Sequence, residues 1–355
     1  IVLLRAMADG LKAGAALACE NIGGLVDVDT KTGIGPLAAG EIGIAVKADH
    51  LSLRAPLYTA DGAAEAPGWA QPHRPNLRLI VTPKAEKDDA RLSGALARLC
   101  EIDPGLALDT DAPSGHAVLC AQSPTHARWV TETLKATFGV EVTTTPLAAQ
   151  LCETIRKPVD KHYRHRKQTG GAGQFADVVI KVRPLPRGEG FVFTEEVKGG
   201  AVPRNYIPAV EQGARDALAA GPHGHPVVDV AVTLVDGKSH PVDSSDFAFR
   251  TAGRQAVKEA LEEAGTVVLQ PINRVTIFTP SVFSGALVPA VSGLKGQVLG
   301  FEADPDAPGW DRFNALLPAS AEADLFNALA SATRGTAWFV SELDHYEEAY
   351  DLAHA

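Results

Sequence analysis

The chain has 355 residues, 45% of them hydrophobic and 21% charged, and a formal net charge of −10. That is an ordinary globular composition, with length for about two to four domains. It excludes an indiscriminate nucleic-acid coat, no apolar run reaches the roughly 20 residues that span a bilayer, and no secretory leader pattern opens the chain.

The first residue is Ile rather than Met, as expected for a fragment or an incompletely recorded start. Residues 1–66 read as short strands with turn signals, Ile42–Val46 among them, and predict a small antiparallel barrel that is partial at its N-terminal edge. Residues 60–75 (ADGAAEAPGWAQPHRP) are rich in Pro, Gly and Ala and read as a linker. Residues 76–148 read β-α-β-β-α-β. Leu77–Val81 alternates, Ala85–Cys100 carries Leu92, Ala95, Leu96 and Leu99 at helical spacing, and a second helix over His126–Phe138 stops at Gly139. That order is the split βαβ, ferredoxin-like unit.

Residues 149–269 form a third, α/β unit. Its strands are expected at Val178–Val182, Phe191–Val197 and Val227–Val235, with a helix over Ile207–Ala219. The turn Asp236–Ser245 leads to a helix over Phe247–Ala264, with Asp246 as its expected N-cap. Residues 270–355 repeat β-α-β-β-α-β as a second ferredoxin-like unit. The fold class is therefore multidomain α+β. Four cysteines, Cys19, Cys100, Cys120 and Cys152, lie far apart without a C-x-x-C, as in a cytoplasmic protein with reduced thiols.

The densest chemistry sits in the third unit. Arg156–Lys167 holds six Lys/Arg and one Asp and runs into a glycine-rich turn, KHYRHRKQTGGAGQF at Lys161–Phe175. A local cationic site on an acidic protein suits phosphate, and Gly170, Gly171 and Gly173 let main chain approach another surface. The competing reading is a hairpin tip that is basic for solubility alone. Five histidines, His162, His165, His223, His225 and His240, lack Cys or carboxylate partners at zinc-ligand spacing. Asp243, Ser244 and Ser245 lack a G-x-S-x-G elbow and read as turn and helix-cap residues. No catalytic or metal residue is assigned.

Four ordered segments carry a resemblance: HRKQTGGAGQF (165–175), GGAVPRNYIPAVEQG (199–213), GPHGHPVVDV (221–230) and SHPVDSSDFAFR (239–250). They resemble domain IV of translation elongation factor G, and the unit order is similar to that family's domains II to V. The resemblance implies a ribosome-binding protein whose domain IV tip enters the decoding site during translocation of tRNA and mRNA. On that basis Lys161, Arg164, Arg166 and Lys167 neutralise RNA phosphate. His165, Gln168, Thr169 and Gln174 hydrogen-bond, Gly170, Gly171 and Gly173 allow close approach, and His240 stands at the family's tip histidine. Gln168, Gly170, Gly171 and His240 are expected together at the distal end.

No G-x-x-x-x-G-K-[ST] occurs in the chain. GTP and Mg are therefore expected only in a preceding GTPase domain, and no cofactor in this chain. The implied partners are rRNA, tRNA and mRNA on the ribosome, with no membrane, and the protein is expected to be a cytoplasmic monomer. Four departures stand out. Ala172 replaces a basic tip residue, and AQSPTHAR (121–128) replaces a glycine-rich segment that keeps only the histidine. VSGLKG (291–296) replaces an arginine-rich turn, and LRAPLYT (53–59) a strand ending. They point to a divergent paralogue. Three readings stay open: a translocation factor, a ribosome-binding regulatory or protection factor, and an RNA-binding scaffold.

Overall fold

The computed structural model describes residues 1–17, 20–51, 72–111, 114–168 and 173–349. Cys19, most of the expected linker, LRAPLYT, and Thr169, Gly170, Gly171 and Ala172 lie outside the described residues. The chain divides into two units, Ile1–Thr145 and Pro146–Ala355.

The first unit begins with β1 (Val2–Arg5), β2 (Ala16–Leu17), β3 (Glu20–Asn21), β4 (Gly24–Val26) and β5 (Ile42–Val46). β1 and β4 flank β5, β2 pairs with β3, and every pairing is antiparallel. Ala6, Leu17, Ile22, Leu25, Leu37 and Ala45 are among the residues of their shared core. Then follow β6 (Leu77–Pro83), α1 (Asp89–Ile102), β7 (Ala107–Thr110), β8 (Ala117–Ala121), α2 (Pro124–Phe138) and β9 (Val142–Pro146), in a sheet of order β7-β8-β6-β9. The stripe Leu92, Ala95, Leu96, Leu99 is the buried face of α1. Helix α2 starts two residues before the expected His126. Extended Ser123 accepts a hydrogen bond from the His126 amide, and Pro124 suits the first turn because it has no N–H to satisfy.

The second unit holds β10 (Cys152–Ile155), β11 (Val159–Lys167), β12 (Gln174–Pro184), β13 (Phe191–Glu195), α3 (Ile207–Leu218), β14 (Val230–Lys238) and α4 (Asp246–Ala264). After these come β15 (Thr266–Pro280), α5 (Ser284–Gly293), β16 (Gln297–Ala303), β17 (Trp310–Pro318), α6 (Glu322–Thr333) and β18 (Trp338–Glu348). One sheet runs β11-β12-β14-β13, with β13 parallel to β14 across the α3 crossover. Its core alternates along the strands, with Val178, Ile180 and Val182 on β12 and Val230, Val232 and Leu234 on β14. They pack in one cluster with Phe249, Ala252, Ala256 and Leu261 of α4. The other sheet runs β10-β15-β17-β16, and β18 also pairs with β15.

Two local expectations, the cap of α4 and the bounds of β14, are corrected. Ser245, not Asp246, caps α4: Ser245 is extended and its side chain accepts from the Ala248 amide, which leaves Asp246 as an acid in the first turn. β14 begins at Val230 rather than Val227, because Asp229 takes a left-handed φ of 58° and the Val227 and Val228 amides are spent on Leu218 and Glu153 carbonyls. β14 also runs to Lys238, through the first residues of the expected turn, with a bulge in its pairing to β12. β15 is a single 15-residue strand. It passes straight through position 269/270 and pairs with β10 over Thr266–Leu269.

Candidate functional site

β11 and β12 pair in register from Val159↔Val182 to Lys167↔Gln174. The cationic run is thus a strand, and its side chains alternate between two faces. That splits the candidate basic residues. Lys161 faces α4, where its ammonium lies 3.3 Å from both Glu259 and Glu263. Hydrogen bonds to Glu263 and Glu259 hold it above the usual lysine range. On the opposite face, His162 Nε2 and Arg164 Nε take the two oxygens of Asp177, at 2.8 and 2.6 Å. Asp177 is 2% exposed, so this carboxylate is compensated from both sides. Arg156 is paired with Glu348. Lys161 and Arg164 are therefore bound into the protein, while Arg166 and Lys167 stand at the distal end. Arg166 donates to Gln168 Oε1 at 3.2 Å.

A second loop, Ser239–Ser245, closes on the hairpin. The Phe175 amide donates to the Asp243 carbonyl at 2.8 Å. Ser244 Oγ donates to the Phe175 carbonyl at 2.7 Å and accepts from the His240 amide at 2.8 Å. The hydroxyl of Tyr206, stacked on Phe249, donates to the Ser244 carbonyl. Gly173 sits against the Asp243 carboxylate, which a Cβ at 173 would displace. Ring atom Nδ1 of His240 accepts from the Asp243 and Val242 amides at 3.1 and 3.4 Å, and lies 3.2 Å from Asp243 Oδ2.

Arg166, Gln168, Gln174, Phe175, His240 and Asp243 line one cleft of about 160 Å³. His165 borders this group through its 2.9 Å bond to Gln174 Oε1. Gln168, Gln174, Gly173 and His240 are thus brought together, and Lys161 is set apart from them. Asp243 and Ser244 were legible in the sequence only as turn residues, and their role in joining the two loops is a tertiary feature. The other histidines are engaged separately. His162 holds Asp177, while the His223 and His225 amides donate to buried Glu153 at 2.9 and 3.0 Å. Ser244 meets the main chain of His240 rather than its ring, so the Ser, His and Asp of this loop form no proton relay.

The family model for elongation factor G domain III matches residues 73–146, that for domain IV matches 150–265, and that for the C-terminus matches 267–352. The chain belongs to the elongation factor G family. An elongation factor G-like protein of Synechocystis sp. is 36% identical over 343 residues, 96% of this chain and 51% of the relative. Elongation factor G of Dinoroseobacter shibae and of Ruegeria pomeroyi are each 37% identical over 274 residues, 77% of this chain and 38% of theirs. A crystal structure of a Thermus thermophilus protein superposes with a TM-score of 0.79 at 28% identity, covering 99% of this chain and 53% of that one. The chain spans about half the length, or less, of the curated relatives it matches.

Within this elongation factor G frame, the hairpin and the second loop both fall in the domain IV match. The divergent AQSPTHAR segment falls in the domain III match, where it forms the α2 cap and a closed polar network. His126 Nε2 bonds Asp103 Oδ2 at 2.9 Å, its Nδ1 accepts from the Gln122 amide, and the Gly105 amide donates to Asp103 Oδ1. Among the described residues no helix is long and apolar enough to cross a membrane.

Proposed function

We propose that this chain is the C-terminal part of an elongation factor G-like translation factor that binds the ribosome and sets its hairpin tip against RNA at the decoding site. There it promotes movement of tRNA and mRNA, and the whole protein works in the cytoplasm as a monomer. GTP with Mg belongs to a part of the full-length protein outside these residues, and this chain contributes contact rather than bond-making. One observation carries the reading: two loops distant in sequence are zipped through Phe175, Asp243 and Ser244 into a single end, where Arg166, Lys167, Gln168 and His240 gather. RNA offers phosphates, 2′-hydroxyls and base edges to such a set. The apolar Val242 stands 83% exposed on the same second loop.

The test is co-sedimentation with ribosomes at low salt, beside a variant with Gln168→Ala and His240→Ala. Loss of binding in the variant is expected. Binding that persists unchanged removes the tip from the contact.

A second reading, a ribosome-binding regulatory or protection factor without efficient translocation, is favoured by α5 and its flanks. Ser281–Leu294 contains no charged residue, where phosphate contact would call for cations. A translocation assay on the full-length protein separates the two: GTP turnover without movement of the messenger selects the second.

A further inference from the structure

We infer that the outer edge of β16 is a docking site for an extended basic segment of another protein, which adds to the sheet as a further strand with alternating apolar and Lys/Arg side chains. This surface belongs to the C-terminal sheet and is independent of the hairpin tip. β16 ends the order β10-β15-β17-β16, and among the described residues only β17 pairs with it. An outer strand turns a row of main-chain N–H and C=O groups away from its neighbour. A strand that adds there is held by main-chain hydrogen bonds and selected by the side chains on its two faces.

The two faces of β16 differ. Phe301 pairs in register with Phe313, and the rings stack with centroids 6.0 Å apart and planes inclined at 6°. Phe313 packs in one core with Leu287 and Val291 of α5. Phe301 therefore lies on the helix side of the sheet, yet it is 54% exposed. Leu299, at the bulge in the β16–β17 pairing, is 43% exposed, and Val288 of α5 is 40% exposed. Residues 281–294, which include α5, carry no charge. Glu302 turns to the opposite face, where its partner across the ladder is Arg312. That guanidinium is already shared by Asp304 and Asp306, at 2.8 and 2.7 Å. Three carboxylates here answer to one cation.

Charge decides the occupant. Residues 267–349 carry ten Asp/Glu against four Lys/Arg, so this part of the chain repels phosphate and RNA is a poor occupant. A second copy of β16 would bring like charges together at Glu302. A strand with Lys or Arg on the Glu302 side and Val, Ile or Leu on the Phe301 side satisfies both faces. The bulge bends β16 at Leu299 and centres the pairing on residues 300–303. β18, the outer strand on the other side, offers less free charge, because Asp344, Glu347 and Glu348 are engaged by Arg274, His345 and Arg156.

The experiment uses the whole chain and capped peptides of about eight residues, the length of an ordinary strand. One alternates Lys and Val, one holds the same residues in two blocks, one alternates Lys and Val around a central proline, and one alternates Glu and Val. Affinity is read by calorimetry and the site by amide hydrogen exchange. The alternating Lys-Val peptide should bind at least about tenfold tighter than each of the other three, and it should slow exchange at residues 300–303. Glu302→Lys, and independently Phe301→Thr should either variant misfold, should weaken it about fivefold. Equal affinity for the alternating and the block or proline peptides overturns strand addition. Equal affinity for the Glu-Val peptide overturns the basic partner, and protection away from β16 overturns the site. If single-stranded oligouridylate slows exchange at residues 300–303 instead, the edge is an RNA contact and the docking assignment falls.

Discussion

For a single residue, charge is worth what its neighbours leave free. Lys161 and Arg166 belong to one cationic run, yet Lys161 is spent on Glu259 and Glu263 while Arg166 donates to the Gln168 side-chain amide oxygen. Replacing Arg166 and Lys167 by glutamine should flatten the dependence of log affinity for RNA on log salt by about 0.7–0.9 per lost contact. Lys161→Gln should leave the slope unchanged. Titration at two or three salt concentrations distinguishes them, and a slope that moves with Lys161 would contradict the geometry. His345 offers a second test. Its ring lies between Glu347 Oε1 and Asp344 Oδ2, at 3.0 and 2.7 Å, and hydrogen bonds to Glu347 and then Asp344 raise its pKa above 6.5. A raised folded value means that the protonated ring stabilises the fold. The contribution is whole below about pH 6.5, and it is lost as pH rises through the higher folded value. Thermal melts of the protein and of His345→Gln should therefore differ most near pH 6 and converge at alkaline pH.

Among the elements, two contacts away from the tip hold the second unit together. Helices α3 and α4 meet at glycines. A Cβ on Gly213 would lie 2.8 Å from the Arg254 amide nitrogen and still closer to the Arg250 carbonyl, and Gly253 faces Val210 in the same way. Backbone cannot yield there as a side-chain end can. Gly213→Ala should destabilise the second unit by about 2 kcal/mol, or about 6 °C in melting temperature, measurable by calorimetry. Glu153 is the second. It is fully buried, and its carboxylate accepts from the His223 and His225 amides and the Thr266 hydroxyl. It fastens the 221–226 loop to the β10–β15 pair. Glu153→Ala leaves three part-buried donors without this partner and should cost about 3 kcal/mol, while Glu153→Gln should cost less because it keeps acceptors. Hydrogen exchange at the His223 and His225 amides would localise the loss.

Across the molecule as a whole, a net charge of −10 coexists with a cationic hairpin end. A net negative charge repels RNA at a distance while the cationic hairpin end attracts phosphate locally, so on the proposed RNA-contact reading association should be orientation-selective and strongly screened by salt. A protein bound through a diffuse surface would instead lose affinity evenly, whichever cation was removed. Anisotropy of the single Arg166→Gln, Lys167→Gln and Lys181→Gln variants separates these. The first two are expected to weaken binding, and Lys181→Gln, well back along β12, to leave it within about twofold.

The order of elements and most of their faces are written into the chain locally. The α1 stripe, the alternation of β12 and the stop at Gly139 follow from periods and backbone preferences that act over a few residues. The glycine at 173 and the HPVDSS turn are local chemistry too. Which charges are free is settled instead by packing. The partner of Lys161 at Glu263 lies 102 residues along the chain, and no local pattern encodes that pairing. The same holds for Asp177, whose two oxygens take His162 and Arg164 from the neighbouring strand. The helix cap moved from Asp246 to Ser245 for a related reason. Both residue types can cap, and the bonds of the Ser244 hydroxyl and the Asp243 carbonyl to Phe175 of the hairpin set where the chain turns into α4. Long-range contacts choose among locally equivalent options, and that choice is made when helix, hairpin and loop pack together.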